Sequence, residues 1–96
     1  KKSIRESVLH PAFPNPFNNK VQIKFTLMDS ENIGISIYDI SGKWVCTLLS
    51  QHMSSGTHIL DWNGSDMNGS LVSSGTYIVI MKNKDYVKTQ KIKLIK

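Results

Sequence analysis

Three histidines, one cysteine and seven carboxylates are the groups of this 96-residue chain with the capacity for acid–base, nucleophilic or metal chemistry. Nucleophilic hydrolysis needs a serine or cysteine beside a base, with an acid to orient that base. His10, His52 and His58 fall in a lead-in, a loop and a strand, and none stands in a nucleophile motif. His58 alternates with Leu60 and Trp62, so a satisfied, partly buried side chain is expected there. Cys46 alternates with Trp44 and Leu48 and reads as a small buried hydrophobe. Alone, it forms no internal disulfide, and it lacks the partners of a zinc site. The carboxylates sit mostly at turns, and a small sandwich rarely offers the cleft that two glycosidase carboxylates must flank. Asp61, Asn63 and Ser65 match the first three oxygen positions of a calcium loop. Asp66 then stands where that loop needs glycine, and Val72 where it needs a bidentate glutamate. This is no EF-hand. A looser site from Asp61, Asn63 and Asp66 competes with side-chain-capped turns, which explain the same residues without an ion. The expectation is a chain with no catalytic residues, no cofactor and no resident metal.

Stacking on aromatic rings is the remaining chemistry. Trp44 and Trp62 are the ligand platforms that a polysaccharide would use, and Trp62 precedes a loop rich in Asn and Asp. Each shares its face with apolar neighbours, Trp62 with Leu60 and Trp44 with Cys46 and Leu48. Core packing is therefore the expectation for both rings.

The elements that position these groups repeat with period two, and no long 3.6-residue stripe occurs. Val21, Ile23, Phe25 and Leu27 alternate with Gln22, Lys24 and Thr26. Ile33, Ile35 and Ile37 follow in the same way, after a turn over 28–32. Asp39-Ile40-Ser41-Gly42 makes a tight turn, with Gly42 free to take positive φ. The strand after it spans 43–49, so these two strands form a hairpin. Residues 50–56 are polar and read as a loop crossing between sheets. A fourth strand spans 57–62, an elaborate turn-rich loop 63–70, and Leu71-Val72 makes a brief bridge. Residues 76–82 are apolar on both faces and read as a central strand. A turn over 83–85 leads into a last strand over 86–95. About seven short strands at this spacing predict an all-β, immunoglobulin-like antiparallel sandwich. Ahead of it, Ile4, Val8 and Leu9 are apolar enough to add part of an edge strand.

Phe13-Pro14-Asn15-Pro16-Phe17-Asn18 precedes the first long strand. Proline fixes its own φ and pushes the preceding residue into extended geometry. A stiff segment of this kind is expected to pin both phenylalanines onto the core.

Charge is uneven. The chain carries a net +5, and residues 82–96 hold six of its lysines against Asp85 alone. Residues 7–81 are mildly acidic. A nucleic-acid footprint would bring arginines and exposed aromatics, whereas this strand offers lysines only, as protected edge strands do. No apolar run approaches the roughly 20 residues that span a bilayer, so membrane insertion is not expected. The chain begins at Lys1 without an initiator methionine and reads as a piece of a longer protein.

Taken together, these segments resemble the C-terminal sorting domain (type A) of type IX secretion cargo, of the flagellar hook-cap immunoglobulin-like kind. The likeness runs from about Ala12 to Lys96. It rests on the 13–18 segment, on Ile37-Tyr38-Asp39-Ile40-Ser41-Gly42-Lys43, on Gly56-Thr57-His58 and on Leu60-Asp61-Trp62-Asn63-Gly64. It continues through Asp66 with Gly69, Ser74-Gly75-Thr76-Tyr77 and the closing Lys91-Ile92-Lys93-Leu94-Ile95-Lys96. Asn63 stands where the family more often has aspartate, which further weakens a calcium site.

The resemblance implies a non-catalytic signal for secretion and cell-surface attachment, exported through the periplasm and outer membrane. It implies outer-membrane secretion machinery as partner, and an upstream catalytic or adhesive domain in the same chain. Residues 1–11 would then be a linker or the end of that domain, and residues 12–96 the sorting domain. Lys88, Lys91, Lys93 and Lys96 would carry recognition, by strand addition or by docking of a lysine face. Phe13, Pro14, Asn15, Pro16, Phe17, Asn18, Gly42, Gly75 and Tyr77 would be structural. The alternative is a carbohydrate-binding or spacer module of a secreted polysaccharide-degrading enzyme.

Overall fold

A computed structural model describes residues 6–96, so Ile4 lies outside the described residues. The strands are β1 (Val8–Leu9), β2 (Val21–Leu27), β3 (Glu31–Asp39), β4 (Trp44–Met53), β5 (Gly56–Trp62), β6 (Gly75–Lys82) and β7 (Val87–Leu94). They form a three-stranded sheet in the order β1-β2-β5 and a four-stranded sheet in the order β4-β3-β6-β7, with every pair of strands antiparallel. This is the expected immunoglobulin-like sandwich. Val8–Leu9 supplies the edge strand expected of the lead-in, and β6 is interior to its sheet.

Alternation decides the faces. Val21, Ile23, Phe25 and Leu27 turn inward from β2 and meet Ile33, Ile35 and Ile37 of β3, Val79 and Met81 of β6, and Ile92 and Leu94 of β7. Each such side chain contributes about 1.5–3 kcal/mol by leaving water. At the end of the sandwich Trp62 is 2% exposed, wedged between Phe17 (ring centroids 5.8 Å) and Tyr77 (5.4 Å), with its Nε1–H donating to the Ser65 carbonyl at 2.9 Å. The Tyr77 hydroxyl donates to the carbonyl of Ser73 at 2.6 Å, tying the start of β6 to the preceding loop in the manner of a tyrosine corner.

β4 departs from expectation twice. It runs on to Met53, because Ser50 to Met53 pair with Gly34 back to Glu31 as a polar extension of the hairpin. Only Ser54 and Ser55 are left to cross between sheets. β4 also carries two bulges. Val45 is the extra residue between the pairs Ile37–Cys46 and Tyr38–Trp44, and Leu48 is the extra residue between Ile35–Leu49 and Ser36–Thr47. A bulge breaks the period-two rule for everything beyond it. Cys46 therefore faces the core at 3% exposure, whereas Trp44 does not join it and is 49% exposed. Burial pushes the Cys46 thiol up to about 11. At pH 8 a thiol reagent should modify native Cys46 about a hundredfold more slowly than the urea-unfolded chain, read by mass spectrometry.

The tight turn forms as read. Asp39 accepts the amides of Ser41 and Lys43, both at 2.9 Å, and Gly42 takes φ 92°. At the far end Glu31 gathers donors that period alone does not reveal. Ser7 Oγ and the Tyr86 hydroxyl donate to its Oε2 at 3.1 and 3.0 Å, and Asn83 Nδ2 donates to its Oε1. Removing this acceptor strands three donors. Glu31→Ala is expected to cost about 2–3 kcal/mol, seen as a fall of roughly 10 °C in Tm.

Candidate recognition surface

β7 is an edge strand, and its parity sorts the lysines. Ile92 and Leu94 point into the core at 1% exposure, so Lys91 and Lys93 point outward and are exposed. Lys88 has the parity of the inward residues. Its ammonium bonds Glu6 at 2.9 Å and lies 5.9 Å from the centre of the Tyr86 ring. Lys96 lies past the end of the strand, where its amide donates to Ser74 Oγ at 3.0 Å. The four recognition candidates thus do not form one face. Lys91 and Lys93 share it, Lys96 adjoins it, and Lys88 is turned away. Among the described residues, neither Lys91 nor Lys93 is within ion-pair distance of a carboxylate.

The edge of β7 is closed by the proline-rich segment from the Lys91 carbonyl to the Ile95 amide. Asn15 Nδ2 donates to the Lys91 carbonyl at 3.2 Å, and the Lys93 amide donates to Asn15 Oδ1 at 2.9 Å. One step on, the Phe17 amide donates to the Lys93 carbonyl at 2.9 Å and the Ile95 amide to the Phe17 carbonyl at 2.8 Å. An asparagine side chain and then a backbone residue thus stand where an added strand would bond. Upstream, the Ala12 amide donates to Gln90 Oε1 at 2.8 Å, and Gln90 Nε2 donates to the His10 carbonyl at 2.5 Å.

The same segment bridges the two sheets, which explains why its phenylalanines part company. Phe17 is bridged to Leu94, an inward residue, and follows it into the core at 3% exposure. Phe13 is bridged to Gln22, an outward residue of β2, and paired residues share a face. Phe13 is accordingly 74% exposed, against the expectation that both rings pack inside. Pro14 and Pro16, both preceded by cis peptide bonds, and the exposed Asn18 complete the bridge. Gly75 opens β6 opposite Leu94.

The remaining candidates are placed as follows. Trp62 is buried and presents no ring face to a ligand, so Trp44 alone is exposed. His58 packs on Phe25 with ring centroids 5.3 Å apart and bonds the Ser54 carbonyl through Nε2 at 2.8 Å. Asp61 faces Lys20 at 3.7 Å, Asn63 Oδ1 accepts from Ser65 at 2.6 Å, and Asp66 Oδ1 caps the amides of Asn68 and Ser70 at 2.9 and 3.0 Å. Asn63 and Asp66 thus serve turns, and Asp61 an ion pair. Gly64, at φ 79°, lets that loop lie against Leu94, whose methyl would meet an added Cβ at 3.4 Å.

The family model described as the secretion system C-terminal sorting domain matches residues 11–96. No curated protein matches the chain. Among solved structures, dimeric latent PorU from Porphyromonas gingivalis is similar over 99% of this chain and 10% of its own, with a TM-score of 0.71 and 17% identity. PorZ from the same organism, an essential surface component of its type IX secretion system, gives 92% and 11% coverage, TM-score 0.62 and 21% identity. FlgD from Xanthomonas campestris, a protein of flagellar hook capping, gives 91% and 65% coverage, TM-score 0.62 and 21% identity. The chain thus spans about a tenth of the length of PorU and PorZ.

Proposed function

The chain belongs to the family of secretion system C-terminal sorting domains, and on that premise we propose that it is a non-catalytic domain of a larger protein, serving as its sorting signal and its means of surface attachment. A domain of this family marks its chain for export to the cell surface or the medium. No helix among the described residues is long and apolar enough to cross a membrane. Residues 12–96 form the sorting domain. Residues 1–11 connect it to an upstream catalytic or adhesive domain, lending Val8 and Leu9 to the sandwich edge.

The single observation that carries the mechanism is the closed edge of β7. Strand addition needs free amides and carbonyls along an edge. Those from the Lys91 carbonyl to the Ile95 amide are already bonded to Asn15 and Phe17. The reading supported best is therefore docking on side chains, with Lys91 and Lys93 presented by the part of the strand whose edge is occupied. Their charge steers an acidic partner and fixes its register. Lys96 extends the patch, while Lys88 supports it from behind.

The test is a reporter fused ahead of residues 1–96, expressed in a type IX-competent bacterium and in a secretion-deficient strain. Machinery-dependent appearance outside the cell is the expected result. Retention in both, with the domain folded, would overturn the reading. Deleting residues 91–96 is not a clean version of this test, since it strips Ile92 and Leu94 from the core and removes the partner of Phe17.

A further inference from the structure

Strand register lines up one row of side chains across the whole four-stranded sheet. Trp44 pairs with Tyr38, Tyr38 with Ile78, and Ile78 with Lys91. The next row is Thr47, Ser36, Ile80 and Thr89, and beyond it Lys82 pairs with Val87. All lie on the face opposite the core, because their neighbours Ile35, Ile37, Val79, Met81 and Ile92 are buried. Trp44 is 49% exposed and Val87 60%, while Tyr38, Ile78 and Ile80 are half-exposed. The indole is held in place, its Nε1–H donating to Thr47 Oγ1 at 3.1 Å, with Thr47 Oγ1 in turn 3.1 Å from Ser36 Oγ.

Charge on this face has one sign. Lys82, Lys91 and Lys93 stand on it, and no carboxylate occupies any of the paired outward positions. The outer face of the three-stranded sheet is different. It carries Gln22, Thr26 and Thr57, and its charge is of mixed sign, with Asp61 3.7 Å from Lys20 and Lys24 on the same face. A pre-ordered Trp beside a half-buried Tyr, leading into a cationic margin, has the make-up of an interface anchor, since such anchors are enriched in aromatics and owe their selectivity to complementary charge.

We propose that the docking surface is the whole outer face of the four-stranded sheet rather than the last strand alone. Trp44 and Tyr38 are its apolar anchors, and its occupant is a protein surface of the export machinery with carboxylates around an apolar patch. This rests on the sorting reading above. Trp44, at the opposite edge of the sheet from β7, is a contact residue that a signal confined to β7 would not include.

The test uses the reporter fusion in the competent and deficient strains, with Tm measured on each purified domain. Trp44→Ala should lower export about tenfold or more at near-native Tm, whereas Ile59→Ala, exposed on the other sheet, should leave it unchanged. If Trp44→Ala lowers Tm, Ser50→Glu and Ser50→Lys decide, at an exposed position of β4 paired with Gly34 on the same face and remote from β7. The added carboxylate should reduce export several-fold, and the added lysine should not. Equal export from both Ser50 variants, or native export from a folded Trp44→Ala domain, would overturn the proposal. The sorting reading would stand if, in the same strains, reversal of Lys91 and Lys93 still abolished export. Loss of polysaccharide pull-down by Trp44→Ala with export intact would assign the indole to a glycan instead, also overturning the proposal. A wild-type fusion that no machinery exports would remove both readings.

Discussion

Phe17→Ala is expected to lower stability by about 3–5 kcal/mol, the loss for a buried phenylalanine whose cavity cannot fully collapse. The ring is 3% exposed and packs on Trp62, which is fixed from its other side by Tyr77. Little nearby is free to move into the space. Domains of this size have a total of about 5–15 kcal/mol to lose, so Tm should fall by roughly 15–30 °C. The damage should also spread along β7. The Phe17 backbone bonds the Lys93 carbonyl and the Ile95 amide, so the Ile95 amide should lose protection against hydrogen exchange well before the interior β3–β6 ladder does. Asn15→Ala should give a milder version, about 1 kcal/mol, with faster exchange at the Lys93 amide. If Phe17→Ala melted within a few degrees of the native chain, the segment would not be a structural latch.

Reversal of the two outward lysines, Lys91→Glu with Lys93→Glu, is expected to do the opposite. Export of a fused reporter should fall at least tenfold, while Tm stays within a few degrees. Both side chains are exposed and unpaired with any described carboxylate, so no folded-state ion pair is lost. Exposed charges contribute little to stability, whereas like charges set against a partner cost several kcal/mol at an interface. Lys88→Glu is the informative companion. It breaks the contact with Glu6, yet it changes no charge on the outward face, and export should fall far less.

Much of this architecture was legible in the residues, and the failures have physical causes. β2 reads directly from Val21 to Leu27 because one face is fully buried and the other is wholly polar or half-exposed. β6 reads as interior because it is apolar on both faces, as a strand between two partners must be. The extension of β4 to Met53 was hidden by Ser50, Gln51 and His52, which an edge strand can expose without cost. The bulge at Val45 then moved Trp44 from the expected core to the surface, and a pattern counted in twos carries no sign of an inserted residue. Phe13 and Phe17 looked alike because a rigid motif says where its backbone goes and not which strand each half will meet. The latch itself joins Asn15 to Lys93, 78 residues apart, beyond the reach of any periodic argument. The separation of Lys88 from Lys91 and Lys93 was different. Its parity stood in the sequence, and counting from the apolar Ile92 and Leu94 would have found it. The Glu31 acceptor carried no signal beyond a carboxylate at the start of an alternating run.

On the proposed function, the outward lysine face of β7 touches the export machinery while the strand edge stays latched. Placing a photo-crosslinking residue at Lys91, and separately at Ile59 on the opposite sheet, tests this contact directly in cells exporting the reporter fusion. An adduct from position 91 that is absent in the secretion-deficient strain is expected, and none from position 59. An adduct from position 59 without one from 91, while the reporter continues to be exported, would contradict the proposed function.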